Sequence, residues 1–70
     1  MEFRAELEKI IKYLLSCGVT LREFEEEAEK IYISEALRIN GGKIKEAAKL
    51  LGLHRNTLSE KIKKYKIKRK

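Results

Sequence analysis

The run GGKIKEAAKLLGLHRNTLSEKIKKYKIKRK, Gly41 to Lys70, holds two short helical patterns joined at Gly52-Leu53 and ends in a concentration of positive charge. Ala48 and Gly52 stand four apart, and Leu51, Leu53, Leu58 and Ile62 supply apolar positions that can hold two short helices at a steep angle. The stretch reads as a helix-turn-helix. Its first helix is expected from about Lys43 or Ile44 to Leu51, and its second from near His54 to about Tyr65. Ala47 and Ala48 are small where a neighbouring helix must come close, while Leu58, Ile62 and Tyr65 recur at the spacing of one helix face. A unit of this kind lays its second helix in the major groove of DNA. The expectation is therefore a nucleic-acid-binding unit over residues 43–65, followed by a basic tail over 66–70.

Working outward, charge divides the chain at the same place. Residues 1–40 carry six Lys/Arg against nine Glu, and residues 41–70 carry eleven against two, within an overall +6. One basic half beside one acidic half is the footprint of polyanion binding by one end of a molecule. A solvated basic tail would give the same count, and the helix-turn-helix pattern decides between them.

Size limits what the chain can do alone. Seventy residues bury a modest fraction of their surface, so small domains usually add disulfides, a metal or a second subunit. Cys17 is the single cysteine, His54 the single histidine, and aspartate is absent. No intrachain disulfide is possible and no metal-ligand cluster is visible, which favours a second subunit. No cofactor or small-molecule site is expected. The early apolar residues are interrupted by Glu6, Glu8, Lys9 and Lys12, so no signal peptide or membrane span is read, and a cytoplasmic protein, nucleoid-associated when bound to DNA, is expected. The abundance of Lys, Glu and Ile with no Pro, Asp, Gln or Trp is similar to a thermophile composition.

Two further helices are expected in residues 1–40, giving an all-α chain of four helices. Phe3, Leu7, Ile10, Ile11, Leu14 and Leu15 form an apolar stripe over about Glu2 to Ser16, ended by Gly18. Thr20 and Glu23 form a capping box, with Val19 and Phe24 at the positions of a hydrophobic staple. This second helix should run to about Arg38 or Asn40, where Gly41 and Gly42 end it. Its first half is narrow and acidic. Its second half is apolar over most of its circumference, so two surfaces should pack on it: the first helix with its dimer mate, and the helix-turn-helix. The expected dimer interface is Leu7, Ile10, Ile11, Leu14, Phe24, Ala28, Ile31 and Tyr32. Cys17 reads as a buried or interface thiol, and Tyr13 and Tyr32 as core aromatics.

The first turns of the fourth helix should face base edges. Arg55 can donate twice to one guanine and Asn56 can pair with adenine. Thr57 offers a hydroxyl and a methyl, although it can instead open a T-x-x-E cap with Glu60. Ser59 and Glu60 complete the base-reading surface. Glu60 can accept from a cytosine amino group, but pairing with Lys64 one turn on is the expected use. His54 is read as a cap or phosphate donor. Lys43, Lys45, Lys61, Lys63, Lys64, Lys68, Arg69 and Lys70 are read as phosphate contacts and steering charge. Lys43 and Lys45 also lie near a helix N-terminus, where free amides attract phosphate.

The residues from Ala28 to Ile67 resemble the C-terminal DNA-binding domain of sigma-54-dependent transcriptional activators of the nitrogen-regulatory-protein-C type, a module shared with the factor for inversion stimulation (Fis). The resemblance is carried by E-K-x-Y-I at Glu29–Ile33, the paired Gly41-Gly42, A-A-x-L-L-G at Ala47–Gly52, R-N-T-L at Arg55–Leu58, and K-x-x-K-Y at Lys61–Tyr65. It implies a Fis-like homodimer whose first two helices form an antiparallel intersubunit bundle, with Arg55, Asn56 and Thr57 against double-stranded DNA and Lys61 and Lys64 assisting. It also implies a two-component setting in which receiver and ATPase domains precede this one and act on sigma-54 RNA polymerase. Three positions depart from the family. Ser59 and Glu60 stand where basic residues are common, Lys43 replaces an asparagine, and Lys66 replaces a glycine, so the last helix is expected to continue past Tyr65.

No G-x-x-x-x-G-K-[ST] loop occurs, and no nucleophile or acid–base pair is visible, so an enzyme is not expected. The expected function is sequence-specific, dimeric binding of an enhancer or operator site in transcriptional activation, by an excised activator domain. The alternatives are a free-standing Fis-like nucleoid or DNA-bending protein, or a helical protein-interaction module with a basic tail.

Overall fold

In the computed structural model, which describes residues 2–68, four helices follow one another: α1 Phe3–Ser16, α2 Leu21–Ile39, α3 Ile44–Leu51 and α4 Arg55–Tyr65. The fold is all-α. Each helix closes in the same way, by the paired carbonyl bonds of a Schellman turn. Val19, Gly42, Leu53 and Ile67 donate their N–H groups to Leu14, Leu37, Ala48 and Ile62, at 2.8–3.0 Å. The residue before each donor adopts left-handed angles: Gly18, Gly41 and Gly52 in the first three cases and Lys66 in the fourth.

Lys66 overturns the expectation that α4 runs on. The helix stops at Tyr65, and Lys66 sits at φ 53° despite carrying a β-carbon. The physical reason is Ile67, which packs against the core and so draws the chain back across the helix end. The basic tail that begins at residue 66 is therefore anchored through Ile67. Arg69 and Lys70 lie outside the described residues.

α2 begins as the sequence dictates. The Thr20 hydroxyl accepts the Glu23 N–H at 3.2 Å, and the Glu23 carboxylate accepts the Thr20 N–H at 2.9 Å. These reciprocal bonds satisfy two of the amides a helix start leaves without partners, and they hold the Glu23 carboxyl below the usual range, the Thr20 backbone bond first. At the other end, the Asn40 side chain donates to the Ala36 carbonyl at 2.8 Å.

The core lies wholly on the C-terminal side. Ile33, Ala36 and Leu37 of α2 meet Ala47 and Ala48 of α3 and Leu58 and Ile62 of α4. Leu37 and Leu58 are essentially sealed from solvent, and the two alanines let α3 approach α2 closely. α1 buries none of its residues and packs against no other helix among the described residues. The expectation that α1 would cover its own α2 is thus corrected. The turn at Cys17-Gly18-Val19 directs α1 away, leaving a crease of about 260 Å³ lined by Ile11, Leu14, Leu15, Val19, Leu21 and Phe24. Tyr13 and Tyr32, read as core, are 66% and 69% exposed, and the Cys17 thiol is exposed rather than buried. No described helix is long and apolar enough to cross a membrane.

Candidate nucleic-acid interface

α4 is presented by its turn. Gly52 ends α3 in the left-handed conformation, half-buried Leu53 packs on the core, and His54 turns extended to cap the next helix. The His54 Nδ1 accepts the Asn56 N–H at 3.2 Å. With Nδ1 accepting, the ring proton belongs on Nε2, where it remains a donor. The helix therefore starts at Arg55, and Thr57 lies inside its first turn. The alternative in which Thr57 caps the helix with Glu60 is ruled out.

Leu58 and Ile62 fix the rotation of α4 by pointing into the core. The opposite face then follows from the helical repeat. Asn56, Glu60 and Lys63, at spacings of four and three, are exposed there, with half-buried Ser59 on one flank and Arg55 beyond it, exposed in the first turn and seven residues before the buried Ile62. Half-buried Thr57 lies on the other flank, beside Lys61. The five residues expected to read bases are thus split: Asn56 and Glu60 lie on the outer face, Thr57 and Ser59 on its two flanks, and Arg55 at the exposed first turn of the helix. Lys63 lies seven residues from Asn56 on that surface and was read only as one of several steering lysines. Its i+7 spacing was the signal that placed it.

Glu60 makes no ion pair with Lys64 among the described residues, which corrects the expected use of that carboxylate. Lys61 also departs from its expected role. Its ammonium donates to Glu29 Oε2 of α2 at 2.8 Å, turned away from the outer face and half-buried. The Tyr65 hydroxyl donates to Glu29 Oε1. Glu29 therefore clamps α2 to α4. The bonds from Lys61 and then Tyr65 hold its carboxyl below the ordinary range, and the same carboxylate pushes the Tyr65 phenol up to about 12. The ammonium groups of Lys30 and Lys64 stand 5.8 and 5.2 Å from the centre of the Tyr65 ring, close enough for cation–π attraction. Nothing local in sequence announces the clamp, because its partners are 32 and 36 residues apart.

Of the other expected phosphate contacts, His54, Lys43, Lys45, Lys64 and Lys68 are exposed, with Lys43 at the N-cap of α3. Of the expected interface residues, Leu7, Ile11, Leu14, Phe24 and Ala28 are half-buried, whereas Ile10, Ile31 and Tyr32 are 53–69% exposed.

Compared with known proteins, residues 24–65 match the family described as bacterial regulatory protein, Fis family. Neither the curated proteins nor the solved structures provide a match.

Proposed function

This chain belongs to the Fis family of bacterial regulatory proteins, and we propose that a pair of copies binds a specific double-stranded DNA site in the regulation of transcription. The observation that carries this reading is the outer face of α4, where Asn56, Glu60 and Lys63 stand between flanking Thr57 and Ser59, with Arg55 exposed in the first turn, on a helix held by Leu58, Ile62 and the Glu29 clamp. In the major groove, Arg55 donates its planar fork to a guanine and Asn56 meets an adenine. Thr57, at the edge, and His54, through Nε2, reach phosphate. Lys43, Lys45, Lys63, Lys64 and Lys68 add phosphate contacts and steering charge. Lys61 contributes by holding α4 in place, with its charge available to phosphate only when the Glu29 bond opens.

The homodimer is supported by the uncovered apolar surface: the α1 stripe of Leu7, Ile10, Ile11 and Leu14, and the α2 face of Phe24, Ala28, Ile31 and Tyr32. A helix with an apolar stripe and no partner in its own chain is stabilised by burying that stripe elsewhere. The motifs from Glu29 to Tyr65 further support a place as the DNA-binding domain of a sigma-54-dependent activator, in the cytoplasm, with receiver and ATPase domains as companions.

Footprinting on selected duplexes tests the reading. A protected region with two-fold symmetry is expected, together with a binding constant that falls with salt at a log–log slope of about −0.9 per phosphate neutralised. Dimerisation without duplex binding at physiological salt would replace it with a protein-interaction bundle.

A further inference from the structure

We infer that Glu60 is the residue by which this chain selects cytosine at one position of each half-site, an assignment that rests on α4 lying in the major groove. Glu60 is exposed on the outer face of α4, four residues after Asn56 and opposite the buried Leu58 and Ile62. It is the sole acid on a helix that also carries Arg55, Lys61, Lys63 and Lys64. Lysines stand three and four residues beyond it, at the spacing where a helical ion pair forms, yet among the described residues Glu60 pairs with neither. Its carboxylate is thus an acceptor with no use inside the chain.

The chemistry of the groove narrows what such an acceptor can meet. A carboxylate is repelled by phosphate, by the N7 and O6 of guanine and by the O4 of thymine, all of them acceptors. Two donors remain, the N4 amino group of cytosine and the N6 amino group of adenine. Adenine sets its acceptor N7 beside that amino group, which suits an amide and repels a carboxylate. Cytosine offers its amino group with only a C5–H beside it on its own ring, the guanine O6 of the pair lying on the other side. Glu60 therefore excludes three bases by repulsion and accepts from the fourth.

Selection of bound sites from random duplexes, carried out in parallel with the unaltered chain, Glu60→Gln and Glu60→Ala, tests the assignment. The side chain is exposed and outside the core, so the variants should keep their helical content and unfolding midpoint. The expected result is cytosine enriched at one position per half-site with the unaltered chain, at roughly tenfold over other bases. That preference should move toward adenine with Glu60→Gln and disappear with Glu60→Ala, the remaining positions being unchanged. Two results would overturn it: the same base preferences in all three proteins, or a uniform gain in affinity on every sequence when the charge is removed, which is repulsion without readout. Retention of no duplex by the unaltered chain would instead refute the groove-binding reading, and this assignment with it.

Discussion

At the scale of single residues, Lys66 is the position most clearly held against its own preference. A left-handed backbone costs an ordinary L-residue about 1 kcal/mol relative to glycine, and here the Ile67 contact with the core outweighs that cost. Lys66→Gly should therefore stabilise the fold by about 1 kcal/mol, raising the thermal midpoint by roughly 4–8 °C for a domain of this size, as read by melting monitored by circular dichroism. An unchanged or lower midpoint would mean that Lys66 earns its conformation through a contact of its own. In the sequence, Lys66 stands where the resembling family carries glycine, which points to a longer helix. Local propensity does favour continuation, and the deciding contact is tertiary. By contrast, the Thr20–Glu23 box was legible because both partners lie within one turn. The same distinction explains Glu60: its neighbours Lys63 and Lys64 were visible, but the rotamers that leave it unpaired were not.

Between elements, the joint that matters most is Glu29 with Lys61 and Tyr65. Its two titratable ends act in opposite senses. Glu29 has a lowered folded pKa, so its contribution is complete above the unfolded carboxyl range near about 4.3 and is lost as pH falls through the lower folded value. Tyr65 has a raised value of about 12, so its contribution is complete below the ordinary phenol range and fades as pH rises through about 12. The clamp should thus be constant from about pH 5 to 9. Glu29 keeps 42% of its side chain exposed, so solvent discounts the pair, and Glu29→Gln should cost no more than about 1 kcal/mol at pH 7. Urea unfolding of both proteins should show that difference closing as pH drops toward 3. A gap that persists there would assign the loss to packing instead of charge. Apart from the end of α4, the helix boundaries were legible to within a residue or so, because glycines and caps are local. The direction of α1 was not, since an amphipathic stripe records that a partner exists and is silent on which molecule provides it.

For the molecule as a whole, the division of labour runs along α2. One side of its C-terminal half, at Ile33, Ala36 and Leu37, builds the core with α3 and α4, while Leu21, Ile31, Tyr32 and Ile39 of the same helix and much of α1 expose apolar side chains. Tyr32 is exposed and lies outside the buried core cluster. Tyr32→Glu should therefore shift the sedimentation profile toward monomer at micromolar concentration while the helical content of α2–α4 persists. It should also weaken operator binding at least tenfold, because two linked reading heads gain from each other's attachment. Loss of DNA affinity with the dimer intact would break the link between the two surfaces. α2 is a single uninterrupted helix of 19 residues, about 28 Å long at the standard rise, and it carries on different sides both the proposed pairing residues from Phe24 to Tyr32 and the seat of α4 at Glu29, Ile33 and Leu37. No break in α2 separates these residues. In the proposed DNA-bound pair this helix would act as a caliper with a fixed span, so a half-site moved by one base pair would have to be brought back by distorting the duplex, and inserted base pairs should penalise stiff spacer sequences more than pliant ones.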